Sequence, residues 1–263
     1  MPVPANPLLV SLEDGILRLV LNRPQQFNAL DDTLIDALEY TLREHAPDEA
    51  VRVLVLSGGR RAFCYGAELA GLPRGEERIF ALEALLPRFQ TLIVRLEHFP
   101  APTIAAIGGF ATGAGLDLAL ACDLRIAASR SKLGVAFPKM GLVPDGGGTW
   151  RLPHLIGLSR AFELLYDDQA ITAERAEQIG LVNRVVPAAA LDEEAVSMAR
   201  AIATLPTQAL RAAKRLMLEN LSRDIEGALA AEAMEQSNRF RSAEFALALA
   251  SVARRATPKP AGQ

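Results

Sequence analysis

The chain is poor in the residues that mark several functional classes. Its 263 residues include only two cysteines, Cys64 and Cys122, three histidines and one tryptophan. Two cysteines close at most one bridge, and neither belongs to a Cys-x-x-Cys pair or lies beside a histidine cluster. This excludes a disulfide-built scaffold and predicts no metal site. The expected setting is reducing and cytoplasmic. Neither half of the chain carries a block of one charge sign, and the formal net charge is only −3. Without a basic stripe, a nucleic-acid or anionic-membrane surface is disfavoured. Long hydrophobic runs are missing too. The nearest, residues 103–122, lacks a basic side chain but contains Asp117 and the glycines Gly108, Gly109, Gly113 and Gly115. That composition fits a buried strand, a tight turn and a helix start, and argues against a membrane span. The segment before Glu13 and Asp14 has neither a basic start nor an apolar stretch, so no signal peptide is predicted.

What is present is ordinary globular material, 50% hydrophobic and 22% charged, enough for a large core in one large domain or two smaller ones. Residues 16–21 and 51–57 are short aliphatic and β-branched runs, read as buried strands. Between them Asp31 or Asp32 caps a helix with Leu34, Ile35, Leu38 and Leu42 on one face. The pattern returns with a strand at 103–107, a helix at 113–121 and a strand at 124–128, which predicts an α/β core with helices covering a sheet. Beyond Pro187 the strand signal ends. Helices are expected at 192–204, 207–220 and 223–239, in a segment that packs on the core and on neighbouring subunits. Residues 257–263, with two prolines and a glycine, are expected to fray.

Three stretches are candidates for chemistry. In residues 63–69, Gly66 beside Ala67 either forms a plain turn or leaves backbone N–H groups aimed into a cleft, as an oxyanion requires. In residues 108–117 small residues crowd a helix start, where free N–H groups favour a carbonyl oxygen or phosphate. Asp117 falls in the first turn of that helix, where a carboxylate is equally a routine dipole partner. Gly113-Ala114-Gly115 supplies only two glycines of the GxGxxG fingerprint, because residue 118 is leucine, so no dinucleotide site is read. Residues 137–150 form a loop by composition, and Asp145 followed by Gly146, Gly147 and Gly148 is by itself only a turn. If the three stretches converge, two carboxylates and two sets of backbone donors make a site for a thioester enolate. His45, His98 and His154 lie outside these stretches and are assigned to surface or packing, and Trp150 is expected to pack.

Taken together, the stretches resemble the enoyl-CoA hydratase/isomerase (crotonase) superfamily. The resemblance covers Leu21-Asn22-Arg23-Pro24, Asn28-Ala29-Leu30, residues 63–69, residues 109–117, residues 141–149, and Gly180-Leu181-Val182-Asn183 before Val185-Val186. It implies an α/β fold, a crotonase-like spiral of ββα units over residues 1–195, with a helical trimerisation region over 196–263 and a homotrimer or homohexamer. It places the two oxyanion-hole N–H groups on Ala67 and Ala114, holding the carbonyl oxygen of an acyl-CoA thioester. Ala29, Tyr65, Gly66, Gly113 and Phe137 then line the substrate. No separate cofactor is implied, since coenzyme A is part of the substrate. Hydratases of the family use two glutamates. The first falls on Asp117, a shorter acid, and the second on Phe137, which can neither give nor take a proton. Asp145 stands where isomerases of the superfamily carry an acid, and the wording of residues 136–150 is closest to the ring-epoxide phenylacetyl-CoA isomerase type. That type, however, generally lacks an acid at the Asp117 position.

The expected activity is therefore an acyl-CoA isomerase of fatty acid metabolism, with Asp145 and Asp117 as catalytic proton carriers. Hydration of a 2-enoyl-CoA is the first alternative. A non-catalytic acyl-CoA-binding member of the family is the second, and hydrolysis or dehalogenation with Asp145 as nucleophile also stays open.

Overall fold

The computed structural model describes residues 6–70, 73–167 and 169–256. In chain order the strands are β1 (Leu8–Glu13), β2 (Ile16–Leu21), β3 (Val53–Ser57), β4 (Ala62–Cys64), β5 (Thr103–Ile107), β6 (Phe110–Thr112), β7 (Leu124–Ala128), β8 (Lys132–Gly134), β9 (Ile171–Thr172) and β10 (Arg184–Val186). The helices are α1 (Asp32–His45), α2 (Glu76–Glu97), α3 (Ala114–Leu120), α4 (Gly148–Ile156), α5 (Leu158–Tyr166), α6 (Ala173–Gln178), α7 (Leu191–Ala203), α8 (Thr207–Asn220), α9 (Ile225–Phe240) and α10 (Ala243–Ala256). The expected strand-helix-strand pattern is present. Asp31 caps α1, its carboxylate accepting the Leu34 N–H at 2.9 Å.

Two sheets organise the core. Six strands run in the order β1-β2-β3-β5-β7-β10, and four in the order β4-β6-β8-β9. Among the described residues only the β1–β2 and β8–β9 pairs are antiparallel. Chain order and sheet order together give the spiral: β3, β5 and β7 each join the large sheet, the next strand joins the small one, and a helix follows. Strands β4, β6 and β8 did not register in the sequence, because three residues are too few to show a period of two. Helix α2 escaped as well. Its buried side chains, Phe89, Leu92, Ile93 and Leu96, all lie in its second half, after Pro87.

Alternation along the parallel strands buries both faces of the large sheet. Leu17, Leu19, Leu54, Leu56, Ala105 and Ile107 meet Leu34, Leu38 and Leu92 in the main core. Their neighbours Ile16, Val53, Val55, Ile104 and Ala106 meet Leu191, Ala195 and Ala199 of α7. The chain divides into two compact units, Met1–Ala203 and Thr204–Gln263, and α7 goes whole with the first. The expected division at 195/196 runs through that helix.

In the second unit α8 and α9 occur where helices were expected, α9 ending one residue beyond the expected stretch, and α10 follows where no helix was expected. The Glu244 carboxylate accepts the N–H groups of Gln208 at 3.1 Å and Ala209 at 3.3 Å, closing the start of α8. Glu235 pairs with Arg215 at 2.7 Å and Arg239 at 3.0 Å. The expected fraying of residues 257–263 lies outside the described residues. Among the described residues no helix is long and apolar enough to cross a membrane.

Candidate active site

The first stretch sits where two chain segments run side by side. Leu30 bridges to Ala67 in parallel fashion. Its N–H donates to the Gly66 carbonyl at 2.7 Å, and its carbonyl accepts the Glu68 N–H at 2.8 Å. The groups on either side of Ala67 are thus spent on Leu30, and the Ala67 N–H points the other way. On that far side lies the start of α3. A Cβ on Gly66 would stand 3.1 Å from the Thr112 carbonyl oxygen and 3.7 Å from the Ala114 nitrogen. Gly113 donates its N–H to the Gly134 carbonyl at 3.0 Å, while Ala114, as the first residue of the helix, has no acceptor one turn back. Among the described residues no acceptor faces the N–H of Ala67 or of Ala114. Two small-residue donors from separate loops are brought together and left open.

That approach depends on Gly115. A Cβ there would stand 2.2 Å from the Cys64 carbonyl oxygen, so α3 can lie this close to β4 only with glycine at that position. Cys64 itself is buried and its thiol is pushed up to about 12 by burial, which makes it packing material and no nucleophile.

Asp117 is buried in α3. Its Oδ2 accepts the N–H of Gly146 at 3.1 Å, from the loop ahead of α4. Loss of hydration pushes its carboxyl up to about 7; the Asp145 charge adds to this, while the Gly146 hydrogen bond and Arg151 oppose it. Asp145 is half-buried and its carboxyl is raised too, mainly by burial. Its Oδ1 is buried without a hydrogen-bond partner. The third stretch therefore meets the second, as its residue content requires for a common site.

The loop holding Asp145 is tied down on both sides. Gln90 of α2 donates to the Asp145 carbonyl at 3.1 Å, and Arg151 of α4 donates to the Gly146 carbonyl at 2.7 Å. Sequence reasoning missed Gln90, Glu97 and Arg151. Gln90 lies 55 positions from Asp145, and Glu97, which pairs with Arg151, lies 54 positions from that partner, and no local signal marks them; Arg151 stands three residues after Gly148 and was within reach.

Phe137 is buried in the main core, its Cε2 4.0 Å from where a Cβ on Gly113 would stand. Ala29 is buried beside the left-handed pair Phe27 and Asn28, and its carbonyl accepts from Arg23, which also pairs with Asp31 at 2.8 Å. A cavity of about 540 Å³ opens next to them, lined by Arg23, Gln26, Asp31, Asp32 and Glu68 among others. Neither Asp117 nor Asp145 lines it. The Tyr65 ring is exposed and shared between Phe27 at 5.9 Å and Phe110 at 5.6 Å. Trp150, expected to pack, is 45% exposed and has its ring 4.6 Å from that of His154.

The enoyl-CoA hydratase/isomerase family model matches residues 11–258. The chain belongs to that family. Among its relatives in the family, 1,2-epoxyphenylacetyl-CoA isomerase of Escherichia coli is 35% identical over 242 residues, 90% of this chain and 92% of the relative. The 2,3-dehydroadipyl-CoA hydratase of the same organism is 35% identical over 225 residues, 86% of this chain and 87% of the relative. The crystal structure of an enoyl-CoA hydratase from Bacillus anthracis superposes with a TM-score of 0.89 at 34% identity, covering 98% of this chain and all of the other. The crotonase-type fold expected from the motifs is thus the fold of this family enzyme.

Proposed function

We propose that this family enzyme is an acyl-CoA isomerase that moves a proton between carbons of an enolised thioester, leaving the mass of the substrate unchanged. The observation that carries the reading is Phe137. Its buried ring occupies the position where the hydratases of the family place a second glutamate, and a phenyl ring can neither hold nor activate a water. Proton transfer needs no water, only an acceptor, a donor and a stabilised enolate.

In this reading the N–H groups of Ala67 and Ala114 receive the thioester oxygen, where negative charge develops. Donors of this kind are worth about 3 to 4 kcal/mol each when lost. The Asp145 carboxylate, with one oxygen unpaired, removes a proton from the carbon next to the thioester. The electron pair moves into the enolate, and the proton returns at a different carbon. Asp117, about half protonated near neutrality, is the second carrier. Ala29, Tyr65, Gly66, Gly113 and Phe137 line the substrate, coenzyme A comes with that substrate, and no further cofactor is called for. The exposed apolar side chains of the second unit, among them Ile225, Leu229 and Met234, support a homotrimer or homohexamer.

Hydration is the second reading. Asp117 and Asp145 are close enough for one charge to act on the other, so the pair is a candidate clamp for one water, and the two relatives at 35% identity divide between isomerase and hydratase. A mass-resolved assay with crotonyl-CoA, a 3-enoyl-CoA and a ring-epoxide phenylacetyl-CoA separates the two. The expected product has unchanged mass and is lost in Asp145→Asn. A product heavier by one water, formed at ordinary enzyme rates, overturns the isomerase reading. Tight thioester binding without conversion of any of the three points to a non-catalytic member.

A further inference from the structure

Arg151 is buried on α4 and reaches two other segments. Nε and Nη2 donate to the two carboxylate oxygens of Glu97, at the end of α2, at 3.0 and 2.8 Å. Nη1 donates to the Gly146 carbonyl at 2.7 Å. The N–H of that same Gly146 donates to Asp117 Oδ2 at 3.1 Å. Gly146 is therefore gripped at its carbonyl by the guanidinium and at its nitrogen by one candidate proton carrier, and its preceding neighbour is the other. The guanidinium serves these oxygens from three separate nitrogens held in one plane; the three donors of an ammonium sit on a single nitrogen and cannot span the same arrangement.

A buried ion pair is a weak source of stability. The cost of drying both charges offsets most of their attraction, and an apolar pair of similar volume often holds a fold equally well. This pair ends on Gly146, the residue that follows Asp145 and donates to Asp117, where an apolar replacement would leave the Gly146 carbonyl without its donor.

We infer that Arg151, locked by Glu97, is a positioning residue for the Asp117–Asp145 pair, fixing Gly146, which follows Asp145 in the chain and donates to Asp117, and bringing a positive charge to that residue. The inference rests on the reading of these aspartates as proton carriers. The charged groups acting on Asp117 are Asp145 from the loop and Arg151 from α4. Glu97 stands behind Arg151, and α2 otherwise presents the Phe89 ring, whose Cε1 is 2.7 Å from where a Cβ on Gly146 would stand. Arg151 favours the ionised form of Asp117, so loss of its charge makes Asp117 keep its proton to higher pH.

The test uses the full chain and its variants Arg151→Gln, Arg151→Lys and Glu97→Gln. One readout is kcat and KM for the thioester that the parent converts. The other is the titration of the Asp117 carboxyl, followed by NMR in protein carrying 13C at the aspartate carboxyls and assigned with Asp117→Asn. In Arg151→Gln the Asp117 midpoint is expected to move up and kcat to fall about 10- to 100-fold, the loss that goes with a displacement of about 1 Å, while KM changes little. Arg151→Lys restores the midpoint but not kcat, because it keeps the charge and loses the fork. Glu97→Gln loosens the fork and gives a smaller loss of kcat.

Folded variants that keep the parent midpoint and kcat overturn the inference. So does a fall in kcat that tracks a lower melting temperature while the midpoint stays put. If Arg151→Gln does not fold, Glu97→Gln is judged by the same criteria. A parent that converts no thioester overturns the isomerase reading alone, since the midpoint still decides whether Arg151 acts on Asp117.

Discussion

A carboxyl pushed up to about 7 has consequences for stability as well as for chemistry. In the unfolded chain Asp117 loses its proton near its ordinary 3.8, whereas the folded protein holds it to about 7. The folded state thus binds more protons between those values, and stability declines as pH rises through that window. Asp117 contributes no penalty below about pH 4 and its full penalty above about pH 7. Asp117→Asn keeps an acceptor for the Gly146 N–H and removes the charge. Urea unfolding is expected to find this variant more stable than the parent at pH 8, by on the order of a few kcal/mol, with the difference vanishing near pH 4. A parent that gains stability relative to the variant as pH rises would show that Asp117 is held as a paired carboxylate instead.

Between elements, the decisive contact is the one between α3 and β4. Leu116 and Leu118 anchor α3 in the main core, and Gly115 lets the helix start lie against the Cys64 carbonyl. Gly115→Ala puts a methyl where backbone already stands, and neither neighbour can rotate away. Forced overpacking of this kind costs about 1 to 3 kcal/mol, and a thermal melt is expected to show the loss. Turnover is expected to fall further than stability does, because the displaced group is the Ala114 N–H that the proposed mechanism aims at the thioester oxygen. Unchanged kcat in a destabilised Gly115→Ala would separate α3 from the chemistry. The same contact explains what the sequence hid. The crowding of small residues over 108–117 was visible, but its purpose was not, since Cys64 lies fifty-one positions away from Gly115 along the chain.

For the molecule as a whole, the helical second unit bears on assembly. Exposed Ile225, Leu229 and Met234 lie on one helix, α9, whose described residues include none that is buried. Such a helix is normally covered in the working protein. Leu229→Glu combined with Met234→Glu is expected to shift the full-length protein from an oligomeric to a monomeric elution volume in size-exclusion chromatography with light scattering. An unchanged oligomer would move the interface to another face.

The strand-helix-strand units β2-α1-β3 and β5-α3-β7, a capping aspartate at the start of α1, the extent of α8 and the family itself could be read from sequence. Each rests on a signal that is local or repeats at short spacing: apolar periodicity, a capping aspartate, or motifs of small residues in a fixed order. The candidate residues were legible for the same reason, since Ala67, Ala114, Asp117 and Asp145 all fall inside such motifs. Only the tertiary structure decided how they act on one another. Drying of Asp117, the unpaired oxygen of Asp145, the strands β4, β6 and β8, and the Glu97–Arg151–Gly146 clamp all arise between segments distant in sequence. Burial and long-range hydrogen bonding depend on which surfaces the fold brings face to face, and no stretch of sequence carries that information by itself.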